Sequence, residues 1–175
     1  MSPPAGDPVP VRLRTRSAED TRALGAALAR ALRPGDVVLL AGDLGAGKTT
    51  MAQGMALGLG VDDHVTSPTF TLVRSYPCRG APGSTPATFV HADLYRLEHL
   101  GEVTDLAIGE LVEDDAVAVV EWGDVAEPVL GRDAVSVCIG PGPSEAERDV
   151  TIAASGRWST RWGELTGVVC GWATP

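Results

Sequence analysis

No run of 18 apolar residues occurs anywhere in the 175-residue chain, which excludes a helix that crosses a membrane. Met1 to Ala18 carries Arg12, Arg14 and Arg16 but no apolar centre of signal-peptide length, so a cytoplasmic location without membrane contact is expected. Cysteine is scarce. Cys78, Cys138 and Cys170 are odd in number and widely separated, which leaves neither a closed disulfide set nor a metal-ligand spacing, and they read as reduced thiols. Positive charge is also short: 14 Lys and Arg stand against 23 Asp and Glu, for a net charge of -9. A polyanion is held mainly by cationic side chains, so this chain is not expected to bind nucleic acid by itself. If RNA is involved, a partner should bring the basic surface.

The chain reads as one domain over residues 1–175, with 1–16 and 158–175 peripheral and 77–87 a surface loop. Val9 to Thr15 alternates as a half-buried strand does. Ser17 with Asp20 resembles a capping box that opens a helix running to about Leu32, stopped by Pro34-Gly35. Val37 to Ala41 is continuously apolar, as suits a strand buried on both faces of a sheet. A glycine-rich turn follows, and Lys48 to Leu59 then reads as a helix despite Gly54 and Gly58. Strands are expected at Thr69 to Tyr76, Thr88 to Ala92, Ala116 to Glu121, Ala134 to Ile139 and Asp149 to Ala154. Short helices are expected between Leu100 and Glu113, and another, lying on the sheet, over Thr160 to Trp172.

Gly42-Asp43-Leu44-Gly45-Ala46-Gly47-Lys48-Thr49 satisfies G-x-x-x-x-G-K-[ST] at every fixed position, between a buried-type strand and a helix. Glycines let successive backbone N–H groups turn inward around an anion at the positive end of the helix that begins there. Asp43, Leu44, Gly45, Ala46, Gly47, Lys48, Thr49 and Thr50 are therefore the expected nucleotide-binding residues. Lys48 should reach the β- and γ-phosphates, and the Thr49 hydroxyl should ligate magnesium. Asp93 and Glu121 each stand at the end of an expected strand, where ligands of α/β sheets gather, and both are candidates for the metal and γ-phosphate. For either alone, a helix cap or a solvated turn is the alternative.

Three further scarcities narrow the chemistry. Lys48 is the only lysine in the chain, so the one compact ammonium stands where a phosphate needs a point charge. Asparagine is absent, which rules out the N-K-x-D guanine-reading element and favours ATP over GTP. The only glutamine is Gln53, inside the expected helix, so a glutamine that orients the attacking water is not expected. Glu121, Asp93 or the metal would then have to assist.

Beyond the loop, Ser67-Pro68-Thr69-Phe70-Thr71-Leu72-Val73, His91-Ala92-Asp93-Leu94-Tyr95-Arg96-Leu97, Glu102 and Val120-Glu121-Trp122 follow in order. In these blocks, over roughly Ser17 to Trp122, the chain resembles the TsaE (YjeE) family, which supplies the ATPase for threonylcarbamoyladenosine formation on tRNA. The resemblance implies an α/β, three-layer P-loop NTPase fold with a mixed, mostly parallel central sheet. It implies ATP and Mg2+ held by the loop, with Thr49 and Glu121 at the metal, Asp93 beside the nucleotide, and Lys48, Glu121 and Asp93 as the catalytic set. Ser67-Pro68-Thr69 looks like a switch segment, Trp122 is either part of the site or core packing, and Ser17 to Thr21 is expected to border the adenine. The implied role is an accessory or reset subunit of a threonylcarbamoyl transferase and its paralogue (TsaD and TsaB type), reaching tRNA only through that complex.

Two other readings compete. A small-molecule P-loop kinase would use Arg96 as a phosphate clamp and Asp93 as a base, but needs a lid with clustered arginines, and 77–87 carries only Arg79. A nucleotide-gated interaction protein would bind ATP and hardly hydrolyse it.

Overall fold

The computed structural model describes residues 8–68, 70–80, 85–97, 99–113 and 115–175. Seven strands form one sheet: β1 (Val11–Thr15), β2 (Val37–Ala41), β3 (Val73–Pro77), β4 (Thr88–Asp93), β5 (Ala116–Glu121), β6 (Val135–Pro141) and β7 (Arg148–Ala154). Their order is β1-β7-β6-β2-β5-β4-β3. The central strands β6, β2, β5 and β4 run parallel, and β1, β7 and β3 pair antiparallel at the margins. The sheet is thus mixed with a parallel centre, as an α/β phosphate-loop fold requires.

Strand periodicity assigns each side chain to a layer. Val38, Leu40, Val117, Val119, Val137 and Ile139 face one core, under α1 (Ala18–Ala29), α2 (Lys48–Gly58) and α6 (Trp162–Val169). Val37, Leu39, Val90, Ala92, Ala118 and Val120 face the other, under α3 (Leu100–Asp105), α4 (Ile108–Glu113) and α5 (Glu127–Leu130). The apolar runs of β2 and β5 are therefore those of strands covered on both sides.

Gly54 explains why a poor helix former sits inside α2. A Cβ built there would lie 2.0 Å from the Arg22 carbonyl oxygen, and one on Gly25 would lie 2.4 Å from that of Met51. The two helices cross through these glycines, with backbone against backbone. Gly54→Ala should therefore lose about 3 kcal/mol of stability, because overpacking outweighs alanine's better helix propensity of about 1 kcal/mol. In a thermal melt this is a fall of roughly 6–12 °C. An unchanged or higher melting temperature would contradict the close crossing.

Several expectations need correction. The strand expected from Thr69 begins at Val73, because Pro68 first accepts the amides of Thr71 (3.0 Å) and Leu72 (2.7 Å) in a turn. Leu72 is then in the left-handed region at φ 62, which strand backbone does not visit. The segment 158–175, expected at the periphery, packs Trp158, Leu165 and Val169 into the core with 0%, 0% and 1% exposure. Buried Asp36 ties it down, accepting two 3.0 Å hydrogen bonds from Arg161, whose guanidinium also stacks over the Trp158 ring. The anchoring is not visible in the segment itself, since Asp36 and the Ala31 carbonyl that Arg161 meets are 125 and 130 positions away.

Candidate functional site

The loop Gly42 to Thr49 leaves the end of β2 and enters α2, as expected from its spacing. Gly47 is the N-cap of α2 at φ 111, a conformation open at little cost only to glycine, and it supplies no side-chain cap. The first turn of α2 contains no acidic residue either. Helix α1 differs: the Ser17 hydroxyl accepts the Asp20 amide at 3.0 Å. The start of α2 thus presents backbone donors and the positive end of a dipole to the cleft in front of it, which fits an anion.

That cleft has a volume of about 500 Å3 and is lined by Leu44, Gly45, Gly47, Lys48, Thr49, Thr50, Ser67, Asp93, Tyr95, Glu121 and Trp122. Of the expected loop residues it leaves out Ala46, whose side chain packs into the core, and Asp43, which lines a groove under the turn between β6 and β7. Among the described residues a larger cavity, of about 630 Å3, lies between β1 and the C-terminal turn, away from the loop.

Lys48 is 5% exposed. Its Nζ donates to the carbonyls of Gly42 (2.6 Å) and Asp43 (2.8 Å) and lies 3.9 Å from the centre of the Trp122 ring. Burial lowers its pKa below the ordinary lysine value, and the carboxylates of Glu121 and Asp93 oppose that shift. Trp122 itself sits at φ 57, a left-handed backbone for a bulky residue. That conformation places the ring between Lys48 and Tyr95, 5.1 Å from the latter. Of the two readings of Trp122, the ring borders the site, although it also packs against the second core.

The parallel register of β4 and β5 puts Asp93 beside Glu121 at the same level. Glu121 shares the parity of Val117 and Val119, so its side chain points to the α2 layer. There both its oxygens accept the Thr49 hydroxyl, at 2.8 and 2.9 Å. Asp93 accepts the Ser67 hydroxyl at 2.6 Å and the Tyr95 amide at 3.0 Å. Lys48, Thr49, Asp93 and Glu121 are therefore brought together. A hydroxyl and carboxylates are hard oxygen donors of the kind magnesium takes from a protein, with the remaining ligands drawn from phosphate and water. Among the described residues there is no group of three or more His, Cys, Asp or Glu that could hold a metal ion without such help.

His91 had no role assigned from sequence. It is fully buried, and its Nε2 lies 2.8 Å from Glu121 Oε1, while its Nδ1 has no partner among the described residues. The signal was a polar residue inside the otherwise apolar Phe89-Val90-His91-Ala92, but which acid it meets depends on the sheet order. Arg96 lies over the exposed Phe70 ring at 5.0 Å and does not line the cleft, which removes the phosphate-clamp geometry of the kinase reading. Ser67 is in the cleft wall, while Thr69 lies outside the described residues. Ser17 and Thr21 line a smaller cleft of about 290 Å3 on the other side of the loop, with Gly47, Thr50, Ala146 and Arg148.

Comparison with known proteins agrees with this fold. The sequence model of the family described as "Threonylcarbamoyl adenosine biosynthesis protein TsaE" matches residues 15–150. Proteins named "tRNA threonylcarbamoyladenosine biosynthesis protein TsaE" are similar over most of their length. That of Treponema pallidum is 38% identical over 82% of this chain and 100% of its own. That of Bacillus subtilis is 38% identical over 83% and 87%. That of Streptomyces coelicolor is 42% identical over 79% and 94%. The crystal structure of Bacillus subtilis YdiB superposes with a TM-score of 0.71 and 31% identity, covering 91% of this chain and 95% of that one. With a matching phosphate-loop fold, a converged Lys-Thr-Asp-Glu cleft and relatives alike over nearly their whole length, the chain belongs to the TsaE family.

Proposed function

We propose that this protein is a magnesium-dependent ATP hydrolase that acts as the accessory or reset subunit of a threonylcarbamoyl transferase complex. That complex modifies tRNAs reading codons that begin with A. The observation that carries the enzymatic part is the direct contact of Thr49 with Glu121 at the mouth of the phosphate loop. The biological part rests on family membership and on the names of the relatives.

In this reading the loop backbone from Gly45 to Thr50 and the Lys48 ammonium bind the phosphates. Thr49 and Glu121 would hold magnesium, which when bound screens the phosphate charge and favours charge transfer to the leaving oxygen. His91 fixes Glu121 from behind, so the carboxylate keeps one orientation when Thr49 turns to a ligand. Asp93, steadied by Ser67 and the Tyr95 amide, would accept a hydrogen bond from the attacking water. Trp122 and Tyr95 cover the Lys48 side of the cleft against solvent.

The charge of -9 supports indirect contact with tRNA. Leu44 and Tyr95, 81% and 54% exposed at the cleft, give a partner apolar surface next to the nucleotide. Nucleotide state and partner affinity must then be coupled reciprocally. ATP analogue and ADP are expected to give dissociation constants for the TsaD- and TsaB-type complex that differ at least ~5-fold, the lower end of ordinary allosteric coupling. ATPase activity should rise when that complex is added. Equal affinities in both nucleotide states together with unchanged ATPase activity, or tight binding of tRNA by this chain alone, would reject the proposal.

A further inference from the structure

The turn between β6 and β7 reaches the phosphate loop through one side chain. Because β6 lies beside β2, with Ala41 opposite Cys138, the hairpin continues past the sheet and closes at Pro141 opposite Arg148, next to the loop. Arg148 Nη1 donates to the carbonyls of Glu145 (2.6 Å) and Glu147 (2.8 Å), its own hairpin. Its Nε donates at 3.0 Å to the carbonyl of Ala46, which lies 102 positions earlier in the chain. The planar guanidinium therefore spans two pieces of backbone with directed bonds. The hairpin is already closed by strand pairing and by the two Nη1 bonds, so the bond to Ala46 is not needed to form it.

The Ala46 bond has a geometric consequence for the loop. In a trans peptide the C=O and the following N–H lie in one plane and point in opposite directions. Holding the Ala46 oxygen outward toward Arg148 turns the Gly47 N–H inward, to the concave side of the loop. Nothing local would hold it there, since Gly47 has no Cβ and glycine tolerates both orientations of the preceding peptide. The preceding Gly45–Ala46 peptide, by contrast, is set from within the loop, its Ala46 amide donating to Asp43 O at 3.0 Å.

We propose that Arg148 is a positioning residue of the phosphate loop, pinning the Ala46–Gly47 peptide so that the Gly47 N–H faces the phosphates. This rests on the nucleotide-binding reading of the loop. A charge-assisted hydrogen bond contributes about 1.5–3 kcal/mol, so loss of the pin should weaken phosphate binding about tenfold or more. The test measures ADP affinity by calorimetry in the absence of metal for the full chain, for Arg148→Met, which keeps the apolar stem, and for Arg148→Lys, which keeps the charge without the fork. The 1H–15N resonance of Gly47 and steady-state ATPase parameters are recorded alongside. Both variants are expected to bind ADP about tenfold more weakly. The Gly47 amide should be displaced in the nucleotide-free protein, and KM should rise by more than kcat falls. Parent-like affinity in Arg148→Lys would mean that charge rather than orientation matters, and overturns the assignment. So would affinity within twofold of the parent in Arg148→Met, or an unmoved Gly47 resonance in a folded variant. If the parent itself binds no ADP, the nucleotide reading falls and this assignment with it, an outcome distinct from a parent that binds and variants that bind equally.

Discussion

Replacing Lys48 with alanine is expected to lower ADP and ATP affinity by ~100-fold or more while leaving the protein folded. The ammonium is the only lysine charge in the chain, and among the described residues no arginine lines the cleft in front of the loop to replace it. It is buried at some cost, as its lowered pKa records, which concentrates its field on the cleft. The structural loss should be small. The freed carbonyls of Gly42 and Asp43 belong to residues that solvent reaches, and the ammonium lies over the Trp122 ring at the wall of the cleft. Calorimetric titration with ADP, with circular dichroism as a check of folding, decides the matter. Affinity within threefold of the parent would show that Lys48 is not a phosphate ligand.

Glu121→Gln should separate binding from hydrolysis. The amide can accept the His91 and Thr49 donors through its oxygen and donate to Thr49 through its nitrogen, so the buried site stays satisfied and the fold intact. What is lost is one negative charge in a nearly closed position of 3% exposure. Without metal that charge repels the phosphates, so the variant should bind ADP at least as tightly as the parent in a chelator. With magnesium, the gain in affinity should shrink and single-turnover hydrolysis should fall by about a hundredfold or more, the scale of a lost catalytic acid–base or metal-ligating group. Hydrolysis at the parent rate would make Glu121 a structural residue that merely bonds Thr49 and His91.

The phosphate loop was legible because its whole requirement is local. Eight consecutive residues supply the glycines, the ammonium and the hydroxyl, and the strand before and helix after them are themselves local patterns. The strands carrying Asp93 and Glu121 were legible too, since a short β-forming segment ending in an acid, continuously apolar in β5 and broken by His91 in β4, needs no distant information. A helix over Thr160 to Trp172 was legible as well, and α6 lies within it, but what anchors it was not. Arg161, and Arg157 just before the segment, make sense only once Asp36 is seen between them.

From the sequence alone came the expectation of ATP over GTP, the loop motif, the family resemblance and the expectation that RNA is not bound unaided. Each rests on which residue types are present, absent or adjacent. The tertiary structure decided which side chains meet. Thr49 and Glu121 are 72 positions apart, His91 and Glu121 are 30 apart, and Ala46 and Arg148 are 102 apart. Strand order and register bring these pairs within hydrogen-bonding distance. Neither is encoded in any short window, because a one-residue slip of β5 would turn Glu121 from α2 to the opposite layer while leaving its own sequence pattern unchanged.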